Sequence, residues 1–460
     1  PPRSTLLDIR RQRQMCIRDR STTPSLPRAP IDRLVGPLAR FLHIEAASGV
    51  VLLVCTVVAL GLANSSFADG FLGFWKAKVG FKIGSFEMIH SLKHWIKDGL
   101  LAGFLFVVGL EVKRELVLGE LREFRRAALP LAAAIGGMVL PAGMYLALQA
   151  GQDGARGWGI PMATDIAFVV GCLALLGPRV PKILRVVLLS LAIVDDIGAI
   201  LVIAIGYTEN LDLGALGLGV AGLGLVFALS RLGVRSYGVY VLVGSLVWLA
   251  FHESGVHATI AGVALGLLTP ARSWVSESRY GEFLDRFYGL LKGEGWDAQP
   301  HRAAEVRTMV QVSRETVAPL EYLENMLHPW VGFAIMPVIA LANAGVAFSF
   351  ADFGHPVALA VMLGLVIGKP IGVLVFSWIA VRLLLKRLPD GLGWGAMLGG
   401  GCLAGIGFTM ALFIAGLALD GELLDAAKVG ILGGSAISAV LGMGLLVAVL
   451  PKPARAAGAS

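Results

Sequence analysis

The chain has 460 residues, of which 56% are hydrophobic and 15% charged, and its mean hydropathy is +0.76. A soluble domain covers itself with about 25% charged residues, so this composition excludes a soluble enzyme, a disordered scaffold and a nucleic-acid binder. The net charge of +7 fits a membrane protein whose Lys and Arg collect in its cytoplasmic loops.

Glycine, at 59 residues, is roughly twice its average share of about 7%. Small residues of this kind let membrane helices approach closely. Cys16, Cys55, Cys172 and Cys402 have neither metal-site spacing nor a disulfide framework. Three of them lie in apolar segments, where cysteine acts as a small hydrophobe.

Within the 1–33 stretch, residues 10–33 carry seven arginines, from Arg10 to Arg33, with no signal-type cleavage site after them. The stretch from Arg10 to Arg20 reads as sequence-assembly read-through and is set aside from fold reasoning. If native, it is a basic tail on the cytoplasmic side.

A spanning helix needs about 20 apolar residues, fewer where it is interrupted inside a bundle. In chain order, twelve candidates fall at 47–63, 96–112, 127–149, 160–176, 184–206, 213–230, 237–251, 255–269, 330–348, 357–381, 394–418 and 427–450. The expected fold is therefore an all-α integral membrane protein of about 12 transmembrane helices, one membrane domain over 34–450 with a cytoplasmic tail at 451–460.

Basic loops follow the second, fourth, sixth, eighth and tenth candidates, with Lys113, Arg114, Arg179, Lys182, Arg231, Arg235, Arg272, Arg314, Arg382 and Lys386 among their charges. The loops after the fifth, seventh, ninth and eleventh hold no Lys or Arg. That alternation predicts both termini on the cytoplasmic side. It leaves 64–95 as an external loop, expected to be ordered by Phe71, Phe74, Trp75, Phe81 and Phe86 despite its four lysines. The 270–328 segment is the sizeable cytoplasmic loop. Its amphipathic stretch from Val306 to Leu323 predicts a surface helix, and it holds no phosphate loop or nucleophile motif.

Ionisable residues inside spans mark function by default. Asp195 and Asp196 lie halfway along the fifth candidate, in LSLAIVDDIGAILVIA, and Lys369 halfway along the tenth, in LGLVIGKPIGVLVF. Burying these three costs roughly 7–10 kcal/mol on insertion scales, tolerable only with pairing and water access. Asp165 lies in the fourth candidate, and Asp98 and Glu111 near the two ends of the second. Adjacent helical residues point about 100° apart, so one aspartate can face a partner while the other faces a cavity. Such a cluster can exchange protons for a small cation, because both need the same oxygens. The plainer reading is a buried Asp–Lys pair that only fixes packing, which is weak ground for keeping costly charges.

Two spans look broken. The fourth opens after Gly157, Gly159 and Pro161 and stops at Gly177–Pro178, and the eleventh carries Gly399, Gly400, Gly401, Gly405 and Gly407. Paired interruptions in matching halves point to a transporter's midplane site. Spans 3–5 start at the cytoplasm and spans 10–12 outside, which predicts inverted-topology repeats. Asp165 and Lys369 are placed to neutralise the broken helix ends. His257, in SGVHATIAG, is read first as a histidine hydrogen-bonded at a helix end and second as a pH sensor. Glu111, Lys113, Arg114 and Glu115 are expected to pair along one helix face.

The stretches WIKDGL, VVGLEVKREL, ATDIAF, LAIVDDIGAI, SGVHATIAG, LHPWV, LANAGV, IGKPIG and GIGFTM resemble the NhaA family of bacterial Na⁺/H⁺ antiporters, in order, from about residue 35 to 450. The resemblance implies an electrogenic, pH-regulated exchanger of the inner membrane, multi-pass and dimeric, that extrudes Na⁺ or Li⁺ against H⁺. It implies no cofactor and no enzymatic reaction. By motif position, Asp196 would be the principal Na⁺ ligand and Asp195 its partner, paired with Lys369. Thr164 and Asp165 would sit where the broken helices cross, and Glu111, Glu115, His257 and Glu324 where the family places pH-responsive residues. The 1–33 tail and the extended 270–328 loop have no counterpart in shorter members.

Other readings have less support. A sodium-coupled organic anion symporter would need a polar or basic lining that no span offers. An intramembrane aspartyl protease needs carboxylates from two helices to flank one water, and a channel is weaker still.

Overall fold

The computed structural model describes residues 45–83, 86–208, 211–292, 302–345 and 350–451. The sequence expectations for the 1–33 tail, for the start of the membrane domain at 34 and for the tail beyond 451 lie outside these residues.

The described residues begin with α1 (Glu45–Ala63) and a short α2 (Ala68–Lys76), followed by an antiparallel hairpin, β1 (Lys78–Ile83) and β2 (Phe86–Ser91). Lys78 pairs with Ser91 and Ile83 with Phe86. This is the ordered element expected over 64–95. A helical turn (Leu92–Trp95) and a π-helical turn (Ile96–Leu100) then lead into α3 (Leu101–Val117). Next come α4 (Phe124–Leu148), the 3-10 helix α5 (Asp153–Met162), α6 (Ile166–Leu176), α7 (Lys182–Gly206), α8 (Leu213–Arg231), α9 (Tyr237–Glu253) and α10 (Thr259–Leu268). Two polar helices, α11 (Glu277–Lys292) and α12 (Arg302–Glu315), precede α13 (Pro319–Asn343) and α14 (Pro356–Leu385). The chain closes with α15 (Trp394–Ala404), α16 (Phe408–Ala418) and α17 (Gly421–Val449).

Among the described residues six helices are long and apolar enough to cross a membrane, or up to nine if each bent pair is one span. The exposed side chains agree with lipid contact: Leu218 on α8 is 71% exposed, Leu242 on α9 65% and Leu383 on α14 77%. Water would make those exposures costly, at about 25 cal/mol per Å² of apolar surface; hydrocarbon does not. By contrast the apolar stretch of α7, which carries the paired aspartates, is 67% buried inside the protein.

Two sequence expectations shift. The amphipathic stretch from Val306 to Leu323 is not one surface helix: it is divided between α12, which ends at Glu315, and α13, which starts at Pro319, where a proline at the first helical position loses no hydrogen bond. The fourth span is not short. Its first half runs from Asp153 to Met162, so Gly157, Gly159 and Pro161 lie inside it and the interruption comes at 163–165. Gly157 is there for packing, since a Cβ at that position would overlap the Tyr145 hydroxyl. The two halves meet at 41°, and α15 and α16 meet at 46°.

Helix α4 packs along α14 at backbone distance. A Cβ on Gly136 would overlap the Gly372 carbonyl, and one on Gly372 would overlap that of Gly136. Helix α14 also contains a π-helical turn, Gly364–Gly368, just before Lys369 and Pro370. Pro370 offers no amide to the ladder and its ring crowds the carbonyl one turn back. A widened turn relieves both, and such turns collect at functional sites.

Candidate functional site

Each interruption leaves helix ends in the interior with unsatisfied backbone groups. Carbonyls are orphaned at a C-terminal end and amides at an N-terminal end, with partial charges of about −0.5 and +0.5. Every such end here meets a group of the opposite kind. At the end of α5 the Met162 carbonyl accepts from the Lys369 ammonium. At the end of α15 the Ala404 carbonyl lies 2.9 Å from the Thr164 hydroxyl. At the start of α6 the Asp165 side chain accepts from the Phe168 amide at 3.3 Å, and at the start of α16 it accepts from the Thr409 amide at 3.1 Å and from the Thr409 hydroxyl. Ser435 of α17 accepts from the Gly407 and Phe408 amides at 3.2 and 3.3 Å. The two breaks are also tied by backbone: the Asp165 amide donates to the Ile406 carbonyl at 2.7 Å.

Beside this crossing lies the paired carboxylate. Asp195 Oδ2 is 2.8 Å from Lys369 Nζ and accepts from the Thr164 hydroxyl at 2.6 Å. Its Oδ1 is buried without a hydrogen-bond partner. Asp196, one residue on and turned about 100° around the helix, is 2% exposed. Among the described residues its carboxylate makes no hydrogen bond and no ion pair. Lys369 is fully buried, its aliphatic stem lying alongside Gly137 of α4. The result is a buried set of carboxylate oxygens with spare lone pairs beside one ammonium. Hard oxygen donors of this type suit a small cation, and a proton uses the same lone pairs.

The five residues Thr164, Asp165, Asp195, Asp196 and Lys369 thus come together. The other sequence candidates lie elsewhere. Glu111 and Glu115 lie on α3, Glu111 near enough for its charge to act on Asp196. Glu115 accepts from the Ser190 hydroxyl at 3.3 Å and from the Glu120 amide at 2.9 Å. The surface pairing expected along α3 is redirected, because Arg114 reaches across to buried Glu324 of α13. His257 Nε2 is 3.2 Å from the Tyr207 carbonyl, the hydrogen-bonded arrangement of the plainer reading. Asp98 sits well away from the crossing, against His94 and His252. Three residues at the crossing escaped notice in the sequence. Met162 and Ala404 contribute only carbonyls, which carry no residue signature, and Ser435 is hidden in the small-residue face of α17. Thr409 was missed as well, although it lies inside the GIGFTM stretch as a hydroxyl beside the break.

Apolar helices, two of them broken and crossing around buried ionisable residues, define a multi-pass membrane protein of the ion-coupled transporter class. Residues 39–446 match the family described as "Na+/H+ antiporter 1", and the chain belongs to that family. It is 59% identical over 430 residues to the Na(+)/H(+) antiporter NhaA of Rhodopirellula baltica, a match covering 94% of this chain and 98% of that protein. It is 52% identical over 441 residues to Na(+)/H(+) antiporter NhaA 2 of Acidiphilium cryptum, covering 95% and 98%. It is likewise 52% identical over 430 residues to NhaA of Rhizobium meliloti, covering 94% and 98%. These relatives are transporters, not enzymes.

Proposed function

We propose that this protein exchanges Na⁺, or Li⁺, for protons across the bacterial inner membrane, electrogenically and under pH control, without an organic cofactor. Asp195 and Asp196 hold either the cation or protons, and Lys369 compensates Asp195 while the cation is absent. Thr164 and Asp165 hold the crossing of the broken helices. Glu111, Glu115, Glu324 and His257 adjust the response to pH.

In this reading residues 34–450 form twelve spans in the lipid bilayer, with spans 3–5 and 10–12 as inverted repeats. The 64–95 hairpin is external, and the 270–328 segment and both tails are cytoplasmic. The working unit is a homodimer. Transport alternates access to the crossing by rocking one group of helices against the other.

One observation carries the proposal: Asp196 is buried beside Asp195 with no hydrogen-bond or ion-pair partner among the described residues, while Asp195 shares Lys369 and Thr164. A purely structural ion pair would use every charge it buries.

The test is transport in proteoliposomes made acidic inside. Adding external Na⁺ is expected to raise internal pH, while choline leaves it unchanged. A lumen that keeps its pH in Na⁺, with correctly folded protein in the bilayer, would overturn the proposal.

A further inference from the structure

At the end of the molecule where the hairpin joins α3, three histidines from three elements converge. His90 is on β2, His94 on the helical turn that follows, and His252 on the last turn of α9. A ring nitrogen from each lies within 4.8 Å of one from each of the others. The His90 and His94 rings stack with centroids 4.3 Å apart, and His252 stands edge-on to both at 5.7 Å. Asp98 completes the group, its Oδ2 lying 3.2 Å from His94 Nε2 and 3.7 Å from His252 Nδ1. His94 Nε2 is buried and makes no well-aligned hydrogen bond, even to Asp98.

We propose that His90, His94 and His252, with Asp98 beside them, form a binding site for a divalent transition cation, Zn²⁺ foremost. Zn–N bonds of about 2.0–2.1 Å put tetrahedral ligand nitrogens about 3.4 Å apart, so small ring rotations close the gap from the present spacing. Three imidazoles and one carboxylate are a donor set suited to Zn²⁺ and not to Na⁺, Mg²⁺ or Ca²⁺, which favour oxygen. Asp98 serves as fourth ligand or as the carboxylate that orients two ligand rings.

The surroundings hold the rings in place. His252 stacks on Trp248 at 5.6 Å with planes 11° apart, and Trp248 stacks on Trp95 at 6.5 Å. Each indole N–H is anchored to backbone, Trp248 to the Asp98 carbonyl at 3.1 Å and Trp95 to the Val79 carbonyl of β1 at 2.8 Å. A bound ion would therefore clip the hairpin and the entry to α3 onto the end of α9. This site shares no residue with the Asp195 cluster and stands whether or not the antiport reading does.

The experiment is Zn²⁺ titration of the purified full-length protein by calorimetry, without a polyhistidine tag, with Co²⁺ as an optical probe of ligand geometry. The expected result is one Zn²⁺ per chain, Co²⁺ bands of a tetrahedral nitrogen-rich site and a Zn²⁺-dependent rise in melting temperature. His94→Ala and His252→Gln are each expected to weaken Zn²⁺ binding by about tenfold or more, with Asp98→Asn weakening it by about 10–100-fold. His355→Gln is expected to leave it unchanged. Melting curves of the metal-free variants identify any that misfold, and His252→Gln, which preserves size and polarity, keeps the test open if His94→Ala does. No Zn²⁺ binding by the parent protein, or equal binding by folded His94→Ala, His252→Gln and Asp98→Asn, would overturn the site.

Discussion

The Asp165 carboxylate accepts the backbone amide of Thr409 at 3.1 Å, across 244 positions of sequence, while its other oxygen caps its own helix at Phe168. One side chain therefore serves two half-helix N-termini, each a concentration of positive partial charge. This carboxylate therefore ties the two broken spans together at their joint.

Asp165→Ala removes both caps. Since one lost cap costs about 0.5–2 kcal/mol, the double loss is expected to lower the melting temperature in detergent and to abolish Na⁺-driven proton movement. Asp165→Asn keeps acceptor oxygen on one side, so its melting temperature is expected between that of the parent and that of the Ala variant. Equal melting of all three proteins would show that the caps contribute nothing.

The two central aspartates separate by stability as well as by transport. Asp195→Asn leaves the Lys369 ammonium without its carboxylate and is expected to lower the melting temperature, since unpairing a buried charge costs about 3–5 kcal/mol. Asp196→Asn breaks no bond present in the structure and is expected to melt no lower than the parent. Both are expected to lose Na⁺-dependent proton movement. Full exchange by both variants would remove the carboxylates from the mechanism.

These assignments also show what was legible in the sequence. Asp195, Asp196 and Lys369 stood out because hydrocarbon leaves a charge no solvent, so any ionisable residue in an apolar run must have a reason. The ATDIAF stretch pointed to Thr164 and Asp165 at the crossing, but the opening of the fourth span was set several residues late, because Gly157, Gly159 and Pro161 look like helix breakers. They sit inside a 3-10 helix, with Gly157 making room for Tyr145. Arg114 looked like a partner for its helix neighbours, and only the tertiary fold brings Glu324 to it. The Met162 and Ala404 carbonyls are backbone, and no residue type announces them.

Competition between cation and proton fixes the sign of a pH effect. Na⁺ binds the ionised carboxylates, so each proton taken up removes a site. Apparent Na⁺ affinity is expected to weaken as pH falls, approaching about tenfold per pH unit for one-for-one competition. Calorimetric titration with Na⁺ at a series of pH values measures the slope. A flat dependence would mean that Na⁺ and H⁺ use separate sites.

Replacing glycine by alanine in a helix normally stabilises it by reducing the freedom of the unfolded chain. Gly372→Ala is expected to do the opposite. Its Cβ would enter the Gly136 carbonyl, forcing α14 away from α4 at a cost of about 1–3 kcal/mol. Because Lys369 is one turn earlier on α14, transport is expected to fall with stability. Gly143→Ala on α4 meets nothing within 4 Å and serves as the control, expected to melt at or above the parent temperature.

Lys369 donates to the Met162 carbonyl while paired with Asp195 at 2.8 Å, so it neutralises a broken helix end and a carboxylate together. Lys369→Ala removes both contacts and leaves a buried carboxylate supported by Thr164 alone, so melting temperature and transport are both expected to fall. Lys369→Arg separates charge from proton exchange. A guanidinium keeps the positive charge but does not give up its proton in proteins. It is also wider and must fit a site in which Lys369 is already fully buried. If the lysine only balances charge, the Arg variant is expected to retain most of the stability and most of the current on a solid-supported membrane. If the lysine carries a proton during the cycle, stability is expected to survive while the Na⁺-evoked current falls or changes its dependence on pH. Unchanged melting and unchanged current in both variants would show that Lys369 neither compensates Asp195 nor moves charge.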